Sequence, residues 1–138
     1  MARPARRPRP DEPEFEAVSR AQLARVREDV GIRTLRHYVE AYLELLPERL
    51  DRIERAISAA DNVEATRVMF DLRVSSSMLG ARRLPAMISA LESTLRIGLP
   101  TGPAQLAVLR TEARAVAVAL RRAVSGGPGR LRGGLSKP

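Results

Sequence analysis

Apolar residues recur at intervals of three and four through the middle of the chain, which is the spacing that lines one face of an α-helix. No alternation of apolar and polar residues with β-branched enrichment lasts long enough to predict a strand. The pattern therefore predicts an all-α domain over residues 19–124. It contains four main helices and one short leading helix, which we expect to form an antiparallel four-helix bundle with a short N-terminal lid helix.

The first two helices have clear local signals. Ser19 and Gln22 have the spacing of a capping box, so the first helix should begin after Ser19 and end near Gly31. A long second helix should follow. Because Pro47 lies inside it and lacks a backbone donor, we predict a kink or a restart of the helix there.

The ends of the other helices are predicted from capping residues, glycine and proline. Asp61 suits the N-cap of the third helix, and Gly80 is a natural stop for it. Pro85 should open the fourth helix, which Gly98 closes. Thr101 should start the fifth helix.

The third helix should expose Phe70. Its inward stripe consists of Ala65, Val68, Met69, Leu72, Ser76 and Leu79. Positions 67, 70, 74 and 77 lie one turn apart on the opposite side. Because phenylalanine is usually buried, a shifted register with Phe70 in the core and Asp71 exposed stays open as the alternative.

The charge is concentrated in the tails. Of the net charge of +8, residues 1–13 carry +2 and residues 126–138 carry +3, which leaves +3 for the middle. The Arg/Pro-rich segment 1–18 and the Gly/Arg-rich segment 125–138 have little to bury and are predicted to be disordered. Basic tails attract nucleic acid electrostatically, but here aromatic residues are not interleaved with the arginines, so specific readout is not expected.

The composition excludes several kinds of site. The chain has no cysteine and His37 is its only histidine, so we expect no disulfide, no metal site and no cofactor. His37 shares a helix face with Arg33, Glu40 and Glu44, which favours a solvated surface position. No apolar run is long enough for a membrane span or a secretory signal, so a cytoplasmic protein without membrane contact is expected.

Residues 69–84, MFDLRVSSSMLGARRL, resemble the phosphorylation helix of the histidine phosphotransfer (HPt) domain family. The family pattern is roughly H-x-L-K-G-S-S-x-x-L-G-A. The positions that match it are Leu72, Ser75, Ser76, Leu79, Gly80 and Ala81. The resemblance covers about residues 19–124, and it implies a helical bundle whose partners are response-regulator receiver domains and histidine kinases.

Three departures from the family pattern fall together on the third helix. Phe70 occupies the position of the phosphoaccepting histidine, Arg73 that of a lysine which supports the phosphoryl oxygens, and Val74 that of a glycine which leaves room for the receiver. A phenyl ring offers neither a nucleophilic lone pair nor a proton site. The resemblance therefore implies a member without phosphotransfer activity, which is not an enzyme. His37, as a surface residue, is not expected to replace the missing histidine.

We predict that this protein binds a receiver domain or a histidine kinase and modulates two-component signalling only by occupying that partner. The expected contact residues are Arg67, Phe70, Arg73, Val74, Ser77, Arg82 and Arg83. A monomer is the default expectation. Two alternatives are open: a scaffold or self-associating subunit that shares only the architecture, and a nucleic-acid-associated protein that uses its basic tails.

Overall fold

The computed structural model describes residues 16–125, and it is helical almost throughout. The five helices are α1 (Arg20–Val30), α2 (Ile32–Ser58), α3 (Asn62–Met78), α4 (Arg83–Arg96) and α5 (Pro103–Ser125). Within residues 16–125 there is no β-strand, only one isolated antiparallel bridge between Val18 and Ala81. The prediction of an all-α fold is confirmed. Most of the two predicted tails, residues 1–15 and 126–138, lies outside the described residues.

The boundaries of α1 agree with the prediction. The hydroxyl of Ser19 accepts a hydrogen bond from the backbone N–H of Gln22 at 3.2 Å, as the N-cap of a helix requires. Gly31 ends the helix with a φ of +88°, in the region that glycine adopts without steric cost, and its N–H donates to the carbonyl of Arg27 at 2.7 Å. A side chain at position 31 would strain this junction between α1 and α2.

Residues 16–18 differ from the prediction, which placed them in the N-terminal tail. Val18 is buried, and the backbone on both sides of it is tied to the turn after α3. The N–H of Ser19 donates to the carbonyl of Gly80 at 2.7 Å, and the N–H of Arg82 donates to the carbonyl of Ala17 at 3.3 Å. These backbone bonds fix residues 17–19 against the end of α3.

Gly80 is required where Val18 and Ser19 meet the end of α3. Its φ is +91°, which favours glycine. A Cβ atom at position 80 would lie 3.1 Å from the carbonyl oxygen of Ser19 and 3.3 Å from the side chain of Val18. Residues other than glycine are therefore disfavoured at position 80, both by the backbone conformation and by steric overlap.

Of the kink or restart predicted at Pro47, the restart does not occur, because α2 continues through it as one helix of 27 residues. Pro47 lies on the exposed side of α2, whereas Leu46 and Leu50 on either side are buried. Tertiary packing of the buried stripe holds both halves in one helix, which outweighs the loss of one backbone hydrogen bond.

Two other helix starts differ from the prediction by two residues. α4 begins at Arg83 rather than at Pro85, and α5 begins at Pro103 rather than at Thr101. The N–H groups in the first turn of a helix have no acceptor within the helix. Proline, which has no N–H group, is therefore tolerated there. The start of α3 agrees with the prediction, since the Asp61 carboxylate accepts from the N–H of Glu64 at 3.1 Å.

The core lies between α2, α3, α4 and α5. α2 contacts α1, α3 and α5, while α4 contacts α3 and α5. The largest side chains that are fully buried come from all four of these helices: Val39, Ile53, Met69, Leu72, Leu84, Ile88, Leu109, Val116 and Leu120. α1 covers the edge of the core with Leu23.

A buried polar contact joins α2 to α3. The hydroxyls of Tyr42 and Ser76 are hydrogen bonded at 2.7 Å, and Ser76 is fully buried. Burial raises the pKa of the Tyr42 phenol, while the bond to Ser76 and the charge of Arg49 act in the opposite direction. A small residue at position 76 lets the two helices approach closely.

Replacing Tyr42 with phenylalanine should lower the free energy of unfolding by about 1–2 kcal/mol, because it leaves the buried Ser76 hydroxyl without its partner. Urea unfolding of both proteins measures the difference. Tyr38→Phe is the matched control, since Tyr38 is exposed on the same helix and should change stability by less than about 0.5 kcal/mol. Equal effects of the two substitutions would contradict the assigned contact.

Candidate functional site

Phe70 is on the outer side of α3, as predicted. Its side chain is 51% exposed, whereas the neighbouring Met69 and Leu72 are fully buried. The alternative register, with Phe70 in the core, is therefore wrong. Asp61 at the N-cap and the buried stripe of α3 fix this orientation.

Phe70 begins an apolar stripe along α3. Val74 and Met78 follow it at intervals of four residues and are 38% and 59% exposed. Residues four apart lie one above the other on a helix, so the three side chains form one continuous row. We call Phe70, Val74 and Met78 the α3 stripe. Arg67 and Ser77 are exposed beside it.

Arg73 holds the ring of Phe70 in place. Its guanidinium carbon lies 5.1 Å from the centre of the Phe70 ring, a cation–π distance. Its Nε atom donates to Oε1 of Glu92 on α4 at 2.8 Å, and the Glu92 side chain is mostly buried. Arg73 thus links α3 to α4, and its charge is already paired within the chain.

Arg67 is paired as well. It binds the carboxylate of Glu64, which also accepts two hydrogen bonds from Arg52 at 2.6 and 3.2 Å. The hydrogen bonds from Arg52, and next those from Arg67, hold the pKa of Glu64 below its usual value. This cluster carries one net positive charge and ties α3 to the C-terminal half of α2.

The two arginines that precede and begin α4 face different surroundings. Arg83 is directed toward α5, where its Nε atom lies 3.3 Å from Oε1 of Glu112. Arg82 is exposed at the N-cap position of α4. The structure therefore brings Arg67, Phe70, Arg73, Val74 and Ser77 together on α3 and separates Arg83 from them.

The serines of the motif make close contacts with neighbouring helices. The Ser75 hydroxyl donates to the carbonyl of Asp71 one turn earlier at 2.8 Å, and it accepts from Nη1 of Arg49 at 3.0 Å. The carbonyl of Ser77 accepts from the side chain of Gln22 on α1 at 2.7 Å. These contacts hold α1, α2 and the end of α3 together.

An apolar groove beside the α3 stripe was missed by the sequence analysis. It lies between α1, α2 and α3, has a volume of about 450 Å³, and includes Tyr38, Leu45, Arg49 and Met78 in its lining. The available signal was that Tyr38 and Leu45 are seven residues apart and fall outside the helical stripe of Leu35, Val39, Tyr42 and Leu46. Both are exposed in the structure.

The carboxylates of α2 form ion pairs both within α2 and with α5. Asp51 and Glu54 both accept from Arg110 of α5, at 2.9 and 2.6 Å. Glu48 pairs with Arg55 on α2 itself, at 3.3 Å. Most of these pairs therefore bridge helices. Like Glu40 and Glu44, His37 is exposed on α2, which agrees with its predicted surface position.

No protein-family model matches the chain, and neither a curated protein nor a solved structure does. Among residues 16–125, no helix combines the length and the apolar character needed to cross a membrane. The α3 stripe carries no nucleophile, acid or base, so the chemistry it offers is apolar contact.

Proposed function

We propose that this protein is a degenerate HPt domain that binds a response-regulator receiver or a histidine-kinase module without transferring phosphate. The observation that carries the proposal is Phe70, half-exposed at the position that the motif reserves for histidine. In this proposal α2 to α5 form an antiparallel four-helix bundle, and α1 is its lid.

The helix contacts support this arrangement. α2, α3, α4 and α5 contact one another in chain order, and α5 returns to α2, as expected for a bundle of four helices joined by short connections. α1 packs on α2 at the edge. The residues of the motif that match the family also have structural roles, since Gly80 allows the contact with Ser19 and Ser76 the contact with Tyr42.

The proposed mechanism is occupancy. A receiver that docks on α3 meets a phenyl ring, to which its aspartyl phosphate cannot transfer the phosphoryl group. The protein then competes with an active phosphotransfer partner for the same receiver surface. Large apolar residues at the centre of an interface commonly dominate affinity, and the α3 stripe offers three of them.

Charge contributes less to this surface than the sequence suggested. Arg67, Arg73 and Arg83 are each paired with a carboxylate of the same chain. Paired charges present a weaker field to a partner and therefore steer its association less. Charges at an interface in general affect the association rate more than the affinity. We therefore attribute the affinity for a receiver or kinase module to the α3 stripe.

Restoring the missing family residues should restore phosphate acceptance. The double variant Phe70→His with Val74→Gly supplies an exposed imidazole and the space beside it, and we expect an acid-labile phosphoryl label from a phosphorylated receiver. Glycine inside α3 should cost about 1 kcal/mol, which the fold should tolerate. Incubation with radiolabelled receivers, followed by gel separation, measures the transfer.

The single variant Phe70→His is the matched control, because it supplies the imidazole while Val74 still fills the access space. It should label much more weakly than the double variant. The wild-type chain should not label at all. The folded double variant should be tested with every receiver of the same cell. If none of them labels it, the proposed relation to phosphotransfer domains is contradicted.

A further inference from the structure

Arg49 differs from the other partly buried arginines of the described chain. Between residues 16 and 125, five arginines are partly buried, and four of them are ion paired with carboxylates: Arg52, Arg73, Arg83 and Arg110. The fifth, Arg49, donates only to the neutral hydroxyl of Ser75 at 3.0 Å. A charge removed from water is costly unless an opposite charge or a full set of hydrogen bonds compensates it.

The unpaired guanidinium of Arg49 lies in the lining of the apolar groove between α1, α2 and α3. A guanidinium has five N–H donors, and a single hydrogen bond leaves the others available. The only acid in the lining, Asp29 of α1, makes no ion pair with Arg49. The groove thus combines apolar walls with one cation that lacks an ion-pair partner.

The size and walls of the groove suit a small molecule. Its volume of about 450 Å³ falls in the range of ligand pockets, which are typically lined by apolar and aromatic side chains with few polar groups. Tyr38, Leu45 and Met78 provide exposed apolar surface along it. The Tyr42 hydroxyl is already bonded to Ser76, and Arg49 is the one cationic donor in the lining.

We propose that this groove binds an amphiphilic monocarboxylate. The carboxylate takes two N–H donors of Arg49, in the bidentate geometry that guanidinium and carboxylate favour. The apolar body lies along Tyr38, Leu45 and Met78. Asp29 repels a carboxylate at its own position, which directs the charged end of the ligand toward Arg49. This site shares Met78 with the α3 stripe, but its argument rests on Arg49 and does not require the proposed contact with a receiver.

The test uses octanoate and its neutral analogue octanamide as probes, both kept below micelle-forming concentrations. Chemical-shift titration of the isotope-labelled full chain measures each dissociation constant. We expect saturable binding with shifts at Tyr38, Leu45 and Met78, and octanoate should bind about tenfold more tightly, as one added charge-assisted contact predicts. Equal affinity of the two probes, or shifts away from the groove, would overturn the proposal.

Arg49→Met removes the charge and keeps much of the apolar stem. It should weaken octanoate about tenfold, to the affinity of octanamide, and leave octanamide unchanged. Arg114→Met is the control, because Arg114 is exposed on α5 and bonds only Thr111. Undiminished octanoate binding by a folded Arg49→Met chain would refute the assigned role of Arg49.

A steric variant tests the groove separately from the charge. Ala41→Trp adds a large side chain to an exposed position in the groove lining, which the helix should tolerate, and it should abolish the binding of both probes. Sedimentation velocity at several concentrations tests whether a second copy of the chain occupies the groove instead. Dimers that Ala41→Trp disrupts, together with no probe binding by the wild type, would assign the groove to a second copy and overturn the proposal.

Discussion

Leu72→Ala is expected to lower the free energy of unfolding by about 2–5 kcal/mol, the range for truncating a large side chain in a packed core. Leu72 is fully buried in the middle of α3, which contacts both α2 and α4. The cavity left behind cannot collapse easily, because rigid helices border it on two sides. Denaturant unfolding monitored by circular dichroism measures the change.

Phe70→Ala, two positions away on the same helix, is the matched control. It removes a larger side chain, yet it should cost less than about 1 kcal/mol, because half of the ring already lies in water and the lost contact with Arg73 is a surface cation–π interaction. A cost for Phe70→Ala that equals the cost for Leu72→Ala would contradict the assigned faces of α3.

The helices could be predicted because their signals are local. The N-caps Ser19 and Asp61 and the positive-φ Gly31 act through bonds within a few residues. Proline gives a less exact signal, since the first turn of a helix accepts it at several positions. For this reason the start of α4 differs from the prediction by two residues, whereas α5 was expected at Thr101 and begins two residues later, at Pro103.

The outer face of α3 was predictable for the same reason, whereas its electrostatics were not. Exposure of Phe70 follows from helical periodicity within one segment. The partners of Arg73 and Arg83 are Glu92 and Glu112, 19 and 29 residues further along the chain. Such pairs depend on how the helices pack, which the local pattern does not contain.

The groove at Arg49 also depends on how the helices pack, so it could not be predicted from the local pattern. In the sequence, Arg49 lies among the acids of α2, although none of them is three or four residues away from it. In the structure, packing of α2 against α3 turns Arg49 toward Ser75. The acids Asp51 and Glu54 are engaged by Arg110 of α5 instead. An unpaired cation emerges only once the helices are assembled.

Phe70→Asp is expected to weaken partner binding at least about 30-fold, the equivalent of about 2 kcal/mol for an interface residue that dominates affinity. The substitution removes the ring at the start of the α3 stripe and places a charge where an apolar surface must lose its water. The fold should persist, because the position is exposed and Arg67 and Arg73 lie three residues away on either side, where an aspartate pairs favourably.

The central claim is that the apolar surface around Phe70 binds a receiver or kinase module. The most direct measurement compares the binding of wild type, Phe70→Asp and Val108→Asp to immobilised receivers and kinase modules from the same cell. Val108 is a matched control, since it is 57% exposed on α5. The account predicts that wild type and Val108→Asp bind one such module equally, while Phe70→Asp loses the binding. Unchanged binding by a folded Phe70→Asp chain, or wild-type binding to none of these modules, would contradict it.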